Sequence, residues 1–165
     1  TGHRIIFPDD EDYRRAIETS NYYCYSKPGL RYSEYRRKSA AQKAKIISDL
    51  QQTQLLVEIQ MFCLMPTHFH FLIKELLPNG TIEFLTNFQN SYAKYFNEKY
   101  QTHGSVFQNR FKNVLIVSDE QYIQVQKYIY LNPLEAGLVK SEGELKLYPW
   151  FKAQTHLVGV VPNLF

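Results

Sequence analysis

The sequence predicts an α+β fold organised around one antiparallel sheet. Three observations carry that expectation. "LLVEIQMFCLM" (55–65) and "HFHFLIK" (68–74) are runs of strand formers with only Pro66-Thr67 between them, which reads as an antiparallel hairpin. "IEFLTNFQNSYAKYFNEKY" (82–100) repeats Leu85, Phe88, Tyr92 and Tyr95/Phe96 at three- and four-residue spacing, the mark of an amphipathic helix. The core order along the chain is helix, strand, strand, helix, strand, helix, which suits helices packed on a single sheet. A length of 165 residues fits one domain with one core.

Each element has a local reason. Asp9, Asp10 and Glu11 precede "DYRRAIET", where a helix N-terminus favours negative charge, so a helix is expected over about 9–20. Residues 21–53 read as an elaboration on the core. Its first half is irregular around Pro28-Gly29, and its second half, "SAAQKAKIISDLQQ", is helical. Asn79-Gly80-Thr81 ends the hairpin unit. A short strand is expected near Asn113–Val117. Ser118-x-x-Gln121 forms a capping box that starts a helix at Asp119. That helix should stop near Asn132, because Pro133 disfavours helix in the residue before it. The tail after 139, with Pro149, Trp150 and Pro162, reads as an irregular wrap. A first strand before the first helix has only "HRIIF" to build it.

Charge is distributed unevenly. Residues 26–45 hold seven cations, Lys27 through Lys45, against Glu34, so 7 − 1 = +6, whereas the whole chain carries +3. This local excess, interleaved with tyrosine, suits a phosphate backbone with bases stacking on rings, and equally suits a solvated loop. Cys24 and Cys63 lie in no Cys-x-x-Cys pair, which argues against a zinc knuckle or a disulfide framework. No apolar run approaches the ~18 residues of a membrane span, and no signal peptide is visible, so a cytoplasmic location and no membrane partner are expected.

Two pairs of residues could carry chemistry. His68 and His70 are two apart on a strand and project from one face, with Phe69 and Phe71 expected to point the other way, into the core. Imidazole pairs of this kind suit a divalent metal, although two ordinary hydrogen-bonded histidines are the simpler account of a bare His-x-His. Tyr128 and Asn132 are four apart and share a helical face. They could supply a nucleophile and an oxygen ligand, or be packing and a helix end.

Taken together, these motifs resemble a known family. "CLMPTHFHFLIK" is similar to the His-hydrophobic-His motif of single-tyrosine HUH transposases. "SYAKYFNEKYQTHGSVFQNRFK" resembles the helix and the Gln-x-Arg-Phe-Lys segment that follow it there. "YIYLNPLEAGLV" resembles the tyrosine helix with the Asn-Pro-x-x-Ala-Gly-x-Val continuation of the REP-associated branch. "FPDDEDYRRAIE" and "YPW" match weaker flanking patterns. The likeness runs over about residues 5–150 in the right order.

The resemblance implies a ferredoxin-like or RRM-like sheet and an enzyme that cuts and rejoins single-stranded, hairpin-forming DNA. By position, it implies His68, His70 and Asn132 as ligands of Mg²⁺ or Mn²⁺. It makes Tyr128 the nucleophile, leaving a 5′-phosphotyrosine and a 3′-OH. Tyr122 is an alternative nucleophile, because Tyr122-Ile123-Gln124-Val125-Gln126 fits the Tyr-Ile-x-x-Gln motif of the insertion-sequence branch. Tyr122 and Tyr128 stand about 240° apart around a regular helix, so they cannot both face one metal. Arg110 and Lys112, in the matched segment, and Arg36, Arg37 and Lys38, in the basic stretch, are candidate DNA contacts. The Asn-Pro branch resembles monomers with a tyrosine acting in cis, whereas the insertion-sequence branch resembles homodimers that share sites. A competing reading keeps the sheet as a non-cleaving module for structured single-stranded DNA or RNA.

Overall fold

The computed structural model of the chain describes residues 4–107 and 111–154. The chain divides into two compact units, one formed by residues 1–58 and 74–111, the other by residues 59–73 and 112–165.

In the first unit, helix α1 (Asp10–Tyr23) begins where the acidic run predicts, and runs three residues beyond the expected end. Asp9 caps it: its carboxylate accepts from the Asp12 amide at 3.1 Å, and the Asp12 carboxylate accepts from the Asp9 amide at 3.2 Å. Helix α4 (Gly80–Tyr100) packs on α1. Its Phe84, Phe88 and Tyr92 stack one turn apart and are fully buried. The Tyr92 hydroxyl donates to the Ile6 carbonyl at 2.6 Å, which satisfies the one polar atom this ring brings inside. Residues 4–8, all that is described of "HRIIF" and its flank, form no strand.

Lys99, near the end of α4, reaches Asp9 at 2.9 Å, Glu11 at 3.2 Å and Asp12 at 3.1 Å. The Lys99 ammonium, hydrogen-bonded to Asp9, holds that carboxyl down at about 2 against an ordinary 3.8. The sign follows from linkage. A carboxyl depressed in the folded state contributes stability that is complete above about 3.8 and is lost as pH falls through about 2. Lys99→Met is expected to move the Asp9 midpoint, followed by NMR, back towards 3.8, and to flatten the acid limb of the stability profile.

The stretch expected to be irregular holds a short helix, α2 (Tyr32–Arg36), followed by α3 (Ala40–Gln51), which begins at a Ser39/Gln42 capping box. Much of its tyrosine is core rather than exposed ring. Tyr22 packs against Tyr23, Tyr32 and Tyr35 at centroid distances of 5.3, 5.2 and 5.1 Å. Its hydroxyl donates to the Leu30 carbonyl at 3.0 Å, and Tyr32 donates to Glu18 at 2.7 Å. A loop rich in aromatics at 21–35 folds because the rings bury one another.

The hairpin strands are β1 (Val57–Met65) and β2 (His68–Glu75), joined at Pro66-Thr67 as expected. Where β2 gives way to α4, Asn79 takes the left-handed conformation at φ 61°. The Leu56 carbonyl there accepts from the Leu76 and Leu77 amides at 3.0 and 3.3 Å. Gly80 lies against that same oxygen, so closely that a Cβ would overlap it.

In the second unit, the third strand comes from an unexpected place. Residues 111–117 form no regular element, so Asn113–Val117 is not a strand. Val114, Leu115 and Val117 are exposed, and Ile116 packs inward. The strand is β3 (Phe151–Ala153), from the tail expected to be irregular. It pairs antiparallel with β1 in the register Met61↔Ala153, Phe62↔Lys152 and Cys63↔Phe151, giving the order β2-β1-β3. With that edge of β1 taken, "NVLIV" has no ladder to join there, and β propensity alone does not make a strand. The tail also carries a short helix, α6 (Glu142–Lys146), after an N-cap at Ser141.

Helix α5 (Asp119–Glu135) starts at the expected Ser118 cap. Ser118 Oγ accepts from the Gln121 amide at 3.1 Å, and Gln121 Oε1 reaches back to the Val117 amide at 2.9 Å. The helix does not stop at Asn132. It carries Pro133 and closes at Gly137, whose φ is 71°. The Leu138 amide bonds to the Pro133 carbonyl at 2.9 Å and the Gly137 amide to Leu134 at 3.0 Å, a Schellman ending. Pro133 stands in the last turn, where its missing donor and the crowding of its ring cost the helix least, and Gly137, four residues later, supplies the stop.

Candidate active site on the sheet and helix α5

The period of β2 sets His68, His70 and Leu72 on one face. Leu72 is buried with Met61, Cys63 and Met65 of β1 and Ile129 of α5. The histidine face is therefore the face that α5 covers. This corrects the expectation of histidines outward; the phenylalanine face, with Phe62 and Leu64 of β1 buried, is covered as well. Phe69 and Phe71 are half-buried and pack on each other at 5.1 Å, with Phe62 against Phe71 at 6.4 Å. Leu72 provides the apolar seat for the helix, and the histidines extend the same row towards the turn.

That row meets the helix at Tyr128. The His70 ring lies 5.3 Å from the Tyr128 ring at an 84° interplanar angle, and 4.9 Å from the His68 ring at 90°. Tyr128 is 51% exposed, so its hydroxyl can be approached from solvent. Asn132, one turn further on, is 7% exposed, and its side chain lies near enough to the His70 ring to raise that ring's pKa. His68 is exposed, with Nδ1 3.0 Å from the Thr67 hydroxyl.

Burial, and then the charge of His68, push the His70 pKa down to about 4, with Asn132 pulling the other way. His70 is thus neutral at physiological pH. Its Nε2 is buried and has no hydrogen-bond partner among the described residues. A buried polar nitrogen without a partner is uncommon in a native protein and points to a missing ligand. No third His, Cys, Asp or Glu joins the histidines among the described residues. A carboxamide is what remains to complete a set of two nitrogens and one oxygen, and that set suits a divalent cation. The residues present fit one.

The other tyrosine is engaged differently. Tyr122 packs its ring against the Met61/Cys63 cluster, and its hydroxyl donates to Gln60 Oε1 at 3.0 Å. Gln126, four residues after it, was not singled out as a site residue. It is 1% exposed, and neither its Oε1 nor its Nε2 has a partner among the described residues. The signal available in the sequence was the spacing: Tyr122/Gln126 repeats the Tyr128/Asn132 pair six positions earlier. Of the candidate DNA contacts, Lys112 is exposed in the second unit, and Arg36, Arg37 and Lys38 are exposed at and after the end of α2 in the first. Arg110 lies outside the described residues.

Comparison with known families settles the class. Residues 28–132 match the family model described as transposase, IS200 like. The chain belongs to the IS200-like transposase family. No curated protein and no solved structure matches it significantly. The match takes in the histidine pair and Tyr128 of this IS200-like transposase, and ends on Asn132. It leaves out α1, α6 and β3. Membership makes the protein a DNA transposase by family, with DNA as its partner. Among the described residues, no helix of this IS200-like transposase is long and apolar enough to cross a membrane.

Proposed function

We propose that this transposase cuts and rejoins single-stranded, hairpin-forming DNA through a 5′-phosphotyrosine on Tyr128, with His68, His70 and Asn132 holding Mg²⁺ or Mn²⁺. The observation that carries the reading is the neutral His70 ring, its Nε2 without a partner, set edge-on against Tyr128 and beside Asn132. When bound, the ion would polarise the scissile phosphoryl oxygen and orient the group.

The chain's own residues account for the rest. Tyr128 Oη forms a bond to the phosphorus, its proton passing to the solvent that reaches this ring. The bond from phosphorus to the 3′ oxygen breaks, and that oxygen takes up a proton from solvent and leaves as a 3′-OH. Attack by a 3′-OH on the tyrosyl ester reverses the exchange, so the phosphodiester energy is retained and joining needs no nucleotide triphosphate. Burial keeps His70 unprotonated and therefore able to donate its lone pair. The Tyr128 and His70 rings meet within one chain at 5.3 Å, which supports a tyrosine that works in cis.

The test is incubation with a labelled single-stranded hairpin DNA and Mn²⁺. A detergent-stable protein–DNA adduct is expected, and chelation should prevent it. Calorimetric titration of Mn²⁺ without DNA should show affinity reduced more than about tenfold in His70→Ala. DNA bound tightly with no adduct under any metal would overturn the cleavage reading in favour of a non-cleaving module.

A further inference from the structure

The first unit holds a cavity of about 630 Å³ among α1, α2 and α4. That volume lies within the range of small-ligand sites and is larger than a bare phosphate needs. Five cations line it, Arg15, Arg31, Arg36, Arg37 and Lys94, against one acid, Glu98, so 5 − 1 = +4. Glu98 is already paired with Lys94 at 3.8 Å.

Arg15 separates this cavity from an ordinary basic surface. It is only 5% exposed, yet its Nε has no hydrogen-bond partner among the described residues. Its guanidinium lies 4.5 Å from the Tyr32 ring centre and 4.9 Å from that of Tyr95. A guanidinium pinned by two rings is pre-organised, and its planar fork matches a phosphate. Burial and the charge of Arg36 both depress its pKa, so an anion would relieve both at once. The α4 wall supplies Asn87 and Asn90, whose carboxamides can meet the donor and acceptor pattern of a base edge, and Tyr95, whose ring can face a base. Asn90 stands on the side of α4 away from its buried stripe of Phe84, Phe88 and Tyr92, while the Tyr95 ring packs on Tyr92 at 5.7 Å.

We propose that this cavity binds one nucleotide unit of the single-stranded DNA substrate, its phosphate on Arg15 and Arg36 and its base against the Asn87, Asn90 and Tyr95 wall. The inference rests on DNA being the substrate, and is independent of which tyrosine cuts. Arg15, on α1, lies outside the segment shared with the family model, whereas the α2 and α4 walls of the cavity lie within it.

The experiment is fluorescence anisotropy of a labelled single-stranded oligonucleotide, with chelator present so that no cleavage occurs. Arg36→Gln with Arg37→Gln, both exposed, is expected to weaken binding about tenfold or more, and to lower the salt slope by about 0.7 per lost phosphate contact. Lys43→Gln with Lys45→Gln, in the same basic stretch but outside the cavity, should have a much smaller effect. Equal losses from the two pairs would mean diffuse surface charge and would overturn the proposal. Arg15→Lys keeps the charge but loses the fork, and should also weaken binding. Should it fail to fold, the exposed pair still decides. Deoxythymidine monophosphate should compete only at far higher concentration than the oligonucleotide. If it binds equally well, the cavity is a free-nucleotide site and the strand reading fails. Because anisotropy is read in chelator, with no cleavage, this result stands or falls separately from the Tyr128 reading.

Discussion

Tyr128→Phe is expected to abolish the covalent adduct with single-stranded DNA, slowing cleavage on the order of a thousandfold or more while leaving binding intact. The substitution removes the hydroxyl proposed to form the new ester and keeps the ring that packs edge-on against His70. Tyr122→Phe is the matched control. It removes the hydrogen bond to Gln60, with a stability loss of about 1 kcal/mol, and should leave adduct formation in place. The reverse pattern would move the nucleophile to Tyr122, and would give Gln126 the part assigned to Asn132. A mixture of Tyr128→Phe and His70→Ala proteins discriminates further. If the site works in cis, neither partner restores the other. Recovered cleavage would mean that tyrosine and histidines come from different copies.

The second large effect is on folding. Gly80→Ala should destabilise the first unit by about 1–3 kcal/mol, read as a lower denaturation midpoint at unchanged slope. A methyl group at Gly80 would overlap the Leu56 carbonyl oxygen, and that oxygen is already fixed by the Leu76 and Leu77 amides. Backbone, not a flexible side-chain end, would have to move. Gly143→Ala is the control, because its nearest neighbour, Ser141 Oγ, lies at an ordinary 3.7 Å. That change should stay within about 0.5 kcal/mol.

The elements that could be read from the sequence were those whose signal is local. Asp9 and Ser118 announced helix starts because capping is a contact between near neighbours. The two-residue link at Pro66-Thr67 left the hairpin strands no other arrangement. What could not be read was which segment would fill the third place in the sheet. "NVLIV" has the stronger strand composition, but Phe151–Ala153 takes the β1 edge. Strand pairing is a tertiary competition, and composition names only the entrants.

The candidate site divides in the same way. His68 and His70 were visible through a two-residue period, and Tyr128 and Asn132 through a four-residue one. Their meeting depended on Leu72 and Ile129 seating the helix on the histidine face, which was expected to lie outward. Arg15 was invisible as a ligand-facing residue, because in "DYRRAIET" it differs from Arg14 only in facing inward. Arg14 forms an exposed pair with Asp10, and Arg15 lies against two rings.

The Pro133 that α5 tolerates also bears on how the protein ages. An asparagine converts to aspartate when the backbone nitrogen of the next residue, losing its hydrogen, closes a succinimide ring on the side-chain amide. The residue after Asn132 is Pro133, whose nitrogen carries no hydrogen to lose. The carboxamide beside His70 is therefore shielded from the commonest spontaneous route by which a neutral amide becomes a charged carboxylate. Asn79-Gly80 has the sequence most prone to that reaction, and there the Gly80 amide is held by the Leu77 carbonyl at 2.8 Å. On prolonged storage at alkaline pH, peptide mapping should find aspartate and isoaspartate appearing at Asn79 long before any change at Asn132.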